Sequence, residues 1–280
     1  MKFGLALGQL NPAQWEAVTV AADRLGFESV WMPEHLILPT KLGGSPFQGS
    51  DHPPIPPEVE VFDPFVYLAF LAAKTARVRF GTHVYNIGLR HPFSTARAVT
   101  TLDVLSRGRL ELGVGASWLE AEWRAAGLDF ASRGSRVDEA LSICQRLWTE
   151  PTVAHHGRWF AFDEVAFEPK PVQKPHPPIH IGGDGAAALR RAGAVGDGWI
   201  PMNHTLDALP AALARIAEHR LAAGRSGRTE LTMGLMPSGP DDVKRWSVLG
   251  IDRLIVRPWR RSAEALDAIE HFANQFLEAS

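Results

Sequence analysis

Along the 280-residue chain, apolar positions follow two alternating rhythms. Short apolar runs predict strands at Phe3 to Leu7, Glu28 to Met32, Val78 to Val84, Leu110 to Val114, Ile179 to Ile181, Gly198 to Pro201, Leu231 to Leu235 and Arg253 to Val256. Between most of them apolar residues recur at helical spacing. After an Asn11 cap and Pro12 in the first helical position, Trp15, Val18, Ala22 and Leu25 form one stripe, which stops at Gly26. Leu266, Ile269, Ala273 and Phe276 form another near the C-terminus. Strand and helix alternating eight times predict α/β architecture as a single (β/α)8 barrel spanning residues 1–280. An open doubly wound sheet would have fewer strands and an early glycine fingerprint.

Two segments interrupt the rhythm. Residues 36–62 include LGGSPFQGSDHPPIPPEVEVF, too rich in Pro and Gly for a long helix, and read as a loop after the second strand and a lid insertion. Residues 151–178 contain HHGRWFAFDEVAFEPKPVQKPHPP, whose alternating aromatics predict a small hairpin followed by an extended Pro-rich run.

Composition narrows the ligand. A formal net charge of −2 gives no general reason to expect nucleic acid or a membrane surface as partner, so a small-molecule substrate is expected. No stretch approaches a membrane span and no signal peptide is evident, which points to a cytoplasmic protein. Oligomeric state stays open, with a homodimer among the options. The single cysteine, Cys144, lies on the apolar stripe Val137, Leu141, Cys144, Leu147, Trp148 and reads as a buried core thiol.

Candidate chemistry gathers just beyond the strands, where a barrel places its reactive groups. Glu34 and His35 follow the second strand in SVWMPEH. The imidazole could hydrogen-bond an anionic cofactor atom or exchange a proton, with Glu34 orienting it; alternatively, His35 ties down the loop. His83 stands in an apolar strand and is followed by Tyr85 and Asn86, where a satisfied core histidine is the competing reading. GVGASW lacks the third glycine of a dinucleotide fingerprint, which disfavours a Rossmann site. His155 and His156 are adjacent in a strand, face opposite ways, and make a poor metal site. In PPIHIGGDGAAALRRAG a strand passes through glycines into a helix. That junction suits either a phosphate cradle or a tight turn.

The segments SVWMPEH, FGTHVYNIGLRHPFSTARAVTTLDVLSRGRLELGVGASW, RGSRVDEAL, and GRWFAFDEVAFEPKPVQKPHPPIHIGG followed by ALRRAGAVGDGW occur in this order. Their order resembles the luciferase-like monooxygenase superfamily, most closely its F420-dependent oxidoreductases. The resemblance runs from the first strand to about Trp199 and weakens through the last two strands. It implies a barrel holding coenzyme F420, or alternatively FMN, at its C-terminal mouth. His35 would then face the reacting centre, with Glu34 beside it. His83, Val84, Tyr85 and Asn86 would form a bulged strand end behind the ring, with a non-proline cis peptide. Ala116, Ser117 and Trp118 would contact the cofactor tail or line the substrate side. Gly182, Gly183, Asp184 and Gly185 would form the phosphate nest, with the Asp184 carboxylate turned away. Some sugar-phosphate dehydrogenases of this branch carry glutamate where Trp118 stands, so their acid/base arrangement does not transfer. The implied activity is hydride transfer between the deazaflavin C5 and a small organic substrate. An FMN-dependent monooxygenase using oxygen is the first alternative, and a non-catalytic F420- or FMN-binding carrier the second.

Overall fold

The computed structural model describes residues 1–8, 10–40, 56 and 58–277. Most of the insertion expected over 36–62 therefore lies outside the described residues. The first half of the chain runs β1 (Lys2–Ala6), α1 (Trp15–Leu25), β2 (Ser29–Met32), α2 (Pro64–Ala73), β3 (Arg79–Thr82), α3 (Pro92–Leu105), β4 (Leu110–Val114), α4 (Glu120–Ala125) and α5 (Arg133–Thr149). The second half runs β5 (Thr152–His156), β6 (Ala161–Ala166), β7 (Ile179–Gly182), α6 (Ala186–Ala194), β8 (Gly198–Ile200), α7 (Leu209–Ala222), β9 (Glu230–Met233), α8 (Pro240–Val248), β10 (Arg253–Val256) and α9 (Ala265–Phe276). Eight parallel strands close a barrel in the order β1-β10-β9-β8-β7-β4-β3-β2, while β5 and β6 form the separate antiparallel hairpin.

Local chemistry explains most boundaries. Asn11 accepts the Ala13 N–H at 2.9 Å and Pro12 opens a 3₁₀ turn, so the α-helix proper begins only at Trp15. It stops where Gly26 takes a left-handed φ of 87°. The strand expected over Val78 to Val84 ends instead at Thr82, because the chain bulges through His83 and Val84. Pairing resumes at Tyr85, whose N–H donates to the Gly113 carbonyl at 2.8 Å. In α9, Leu266 is exposed whereas Ala265, Ile269, Phe272, Ala273 and Phe276 are buried. At 100° per residue, Leu266 stands at the edge of the stripe, and Ala265 takes its place against the barrel. Cys144 is fully buried on α5, as its stripe predicts, and burial pushes its thiol pKa well up.

The barrel interior is layered. At the N-terminal end Arg253 is fully buried, bonded to both Glu28 oxygens at 2.8 Å and paired with Glu230. Glu111 is held by Arg79 and, at 2.5 Å, by His180 Nε2. Burial resists ionisation of Glu111. The His180 hydrogen bond and the charges of His180, Arg253 and Arg79 outweigh it and push the carboxyl down to about 2. Above this ionic floor the Trp31 indole fills the axis, donating to Ser29 Oγ at 2.8 Å. A Cβ at Gly4 would come within 2.8 Å of the indole nitrogen, and one at Gly81 would strike the ring, so bare backbone makes room for it. Trp31, Ile200 and Ile255 then close the core beneath the mouth, with Ala6 and Val84 packed on them.

Candidate active site

The C-terminal ends of β2, β3, β4, β7 and β8 bring the sequence-predicted residues into two connected groups. In the first, Glu34 is almost fully buried and does not orient His35. One oxygen accepts the Asn86 N–H at 2.8 Å and the other the Arg90 guanidinium at 2.7 Å. Burial pushes the Glu34 carboxyl up, against the opposing pull of Arg90 and the Asn86 N–H. Arg90 lies 4.5 Å over the Tyr85 ring, so Glu34, Arg90, Tyr85 and Asn86 act as one brace beneath the bulge. A salt bridge to a stacked guanidinium explains why the glutamate is committed elsewhere.

The carboxylate that meets His35 belongs to Glu122 of α4, whose Oε2 lies 3.3 Å from His35 Nδ1. Glu122 has a fully buried side chain and His35 is 10% exposed. The other Glu122 oxygen accepts the backbone N–H groups of Leu36 at 2.5 Å and Ile37 at 3.3 Å. Trp118 meets the His35 ring edge-on at 5.8 Å. Ser117 has a left-handed φ of 64°, and its Oγ accepts the Leu119 N–H at 3.2 Å. Ala116 is partly buried against the core. The loop after β4 thus fits closely around the end of β2.

The second group is the bulge and the glycine turn. The His83–Val84 peptide is cis. His83 is half-buried by surface, with its ring 6.3 Å from Trp31, and loss of water pushes its imidazole down to about 4. It is therefore neutral at pH 7. Val84 is seated against glycines: a Cβ at Gly182 would lie 2.9 Å from its Cγ1, and one at Gly115 2.6 Å from its Cγ2. Gly182 therefore joins the bulge to the IGGDG turn. Gly183 has φ 116° and donates its N–H to the Ile200 carbonyl at 3.1 Å, so backbone geometry alone demands glycine there.

Gly185 differs: its φ is −74°, and a Cβ built on it would meet nothing within 4 Å. Neither conformation nor packing within the chain requires bare backbone at this N-cap of α6. The Asp184 carboxylate turns towards the loop after β8, accepting from Met202 N at 2.9 Å, Asn203 N at 3.0 Å and His204 Nδ1 at 2.9 Å. Burial resists its ionisation, yet these hydrogen bonds hold the carboxyl below its usual range. The Asp184 carboxylate is thus engaged by the loop after β8, no side-chain hydrogen bond caps α6, and bare backbone at that helix N-terminus suits a phosphate group.

Sequence reasoning missed Arg90, Glu122 and His204. Arg90 stands within NIGLRHP and Glu122 four residues beyond GVGASW, but an isolated charge carries no signal of its partner. His155 and His156 behave as expected of neighbours in a strand. The former bonds Glu139 at 3.1 Å and the latter is exposed, and no group able to hold a metal occurs among the described residues.

The family model for luciferase-like monooxygenases matches residues 3–242. An uncharacterised protein of Mycobacterium tuberculosis (strain H37Rv) is 29% identical over 280 residues, covering 98% of each chain. Among solved structures, monooxygenase RslO1 from Streptomyces bottropensis superposes with a TM-score of 0.78 at 23% identity, covering 100% of this chain and 99% of that one. An F420-dependent secondary alcohol dehydrogenase, solved with an F420-acetone adduct, gives a TM-score of 0.77 at 17% identity, with the same coverage. No helix among the described residues is long and apolar enough to cross a membrane.

Proposed function

The chain belongs to the luciferase-like monooxygenase family of oxidoreductases, and from that premise we propose that it is an F420-dependent enzyme transferring hydride between the deazaflavin and a small organic substrate. The observation that carries a phosphate-bearing cofactor, shared by F420 and FMN, is the IGGDG turn, where Asp184 bonds the loop after β8 and Gly185 offers bare backbone that the fold does not need. Gly185 and the first N–H groups of α6 would hold the cofactor phosphate. The Val84 bulge would back the ring, braced by the Glu34–Arg90 pair. The bound deazaflavin would supply the hydride donor or acceptor at C5. His35 would hold or release the proton that accompanies hydride transfer, and the Trp118 ring beside it would exclude water. Neutral His83 would present an uncharged polar edge. The likeness to the F420-dependent alcohol dehydrogenase favours F420. The equally complete likeness to the monooxygenase RslO1, together with that to a type II Baeyer-Villiger monooxygenase solved with FMN, supports an FMN-dependent monooxygenase as second reading.

Separate titrations with F420 and FMN, followed by quenching of the 9 tryptophans, distinguish the two. Micromolar F420 affinity with negligible FMN binding is expected, and the reverse order overturns the first reading.

A further inference from the structure

His35 has two ring nitrogens, and which one carries the proton decides what it can do to a substrate. A fully buried carboxylate facing one of them is a strong determinant, because the charge can be satisfied only by donors. Glu122 has such an arrangement. One oxygen takes two backbone N–H groups from the chain leaving β2, and the other lies 3.3 Å from His35 Nδ1. The same oxygen lies 3.5 Å from Ser117 Oγ, across from the loop after β4. The other nearby carboxylate, Glu34, is already paired with Arg90 at 2.7 Å and cannot serve His35.

We propose that Glu122 is the positioning residue for His35, fixing the proton on Nδ1 and leaving the Nε2 lone pair to exchange a proton at the barrel mouth. When Nε2 takes a proton from substrate, the imidazolium keeps its Nδ1–H on the Glu122 carboxylate and no proton passes to Glu122. The carboxylate also stabilises the positive charge formed on the ring. The exchange rests on the reading of His35 as the group at the reacting centre, but the tautomer does not depend on which cofactor is bound. Because the anchors of Leu36 and Ile37 share the same carboxylate, the chain leaving β2 is held in register with the ring.

Glu122→Gln separates this role from loop anchoring. The amide oxygen can still accept from Leu36 and Ile37, but the NH2 group then faces His35 Nδ1 and requires it to accept, which moves the proton to Nε2. Long-range 1H–15N spectra of the full chain without added cofactor report the tautomer directly, with the His35 signal assigned by its loss in His35→Gln. The wild type is expected to show a protonated Nδ1 and a pyridine-like Nε2, and Glu122→Gln the reverse. A wild-type His35 protonated on Nε2, or an unchanged tautomer in a folded Glu122→Gln, overturns the proposal. Should that variant fail to fold, the wild-type spectrum alone decides. F420 titration of the same samples tests the cofactor reading separately, since loss of F420 binding leaves the tautomer result standing.

Discussion

Replacing Gly185 and Gly183 separately with valine distinguishes a phosphate cradle from a tight turn. At Gly185 the backbone is in an ordinary region, with φ −74°, and the new side chain would enter open space. The folding cost is that of a poorer N-cap, about 0.5–1 kcal/mol. For a chain of this length, that lowers the melting temperature by roughly 1–2 °C. At Gly183 the φ of 116° strains any β-branched residue, at a cost of about 1–3 kcal/mol. A phosphate on the α6 N-terminus would make charge-assisted hydrogen bonds of about 1.5–3 kcal/mol each. Displacing one by the Gly185→Val side chain should raise Kd about tenfold or more. Thermal melting without cofactor and tryptophan quenching on F420 addition measure the two quantities on the same samples. Gly185→Val is expected to keep most of its stability and lose affinity, whereas Gly183→Val loses stability first. Wild-type F420 affinity in Gly185→Val would refute the cradle, leaving IGGDG as a turn.

Two further outcomes concern the buried charges. Glu34→Gln leaves the Arg90 guanidinium, 14% exposed, without its ionic partner and should cost about 3 kcal/mol, read as a drop in the denaturation midpoint; a loss no larger than that of an exposed pair such as Arg24–Glu270 would contradict the brace. Glu111 has a folded pKa of about 2, below its ordinary 4.5, so its contribution is present above pH 4.5 and is lost as pH falls towards 2. Wild-type stability should therefore fall more steeply over that window than that of Glu111→Gln, and parallel pH profiles would exclude Glu111 as a source of the slope.

Periodicity alone was enough for the barrel, because a strand buried on both faces and an amphipathic helix carry their environment in the spacing of apolar residues. The eight strands, the hairpin at residues 152–166 and the burial of Cys144 were legible in this way. Where the pattern was ambiguous by one position, as at Leu266 and Ala265, packing against the barrel chose. The bulge at His83 and Val84 did not follow from periodicity, since β3 reads as one apolar run through Val84. Gly115, just past β4, and Gly182, at the end of β7, make the room that Val84 fills. Charge pairing was the least legible. His35 and Glu34 are neighbours in sequence, yet successive residues beyond a strand point in different directions. Barrel closure carries Arg90 to Glu34 and Glu122 to His35, across 56 and 87 positions of sequence. The residue types capable of chemistry were thus present in the local sequence, but their partners were decided by tertiary structure. A buried charge is satisfied by whatever group the fold places within hydrogen-bonding reach, and that distance has no counterpart in the order of residues.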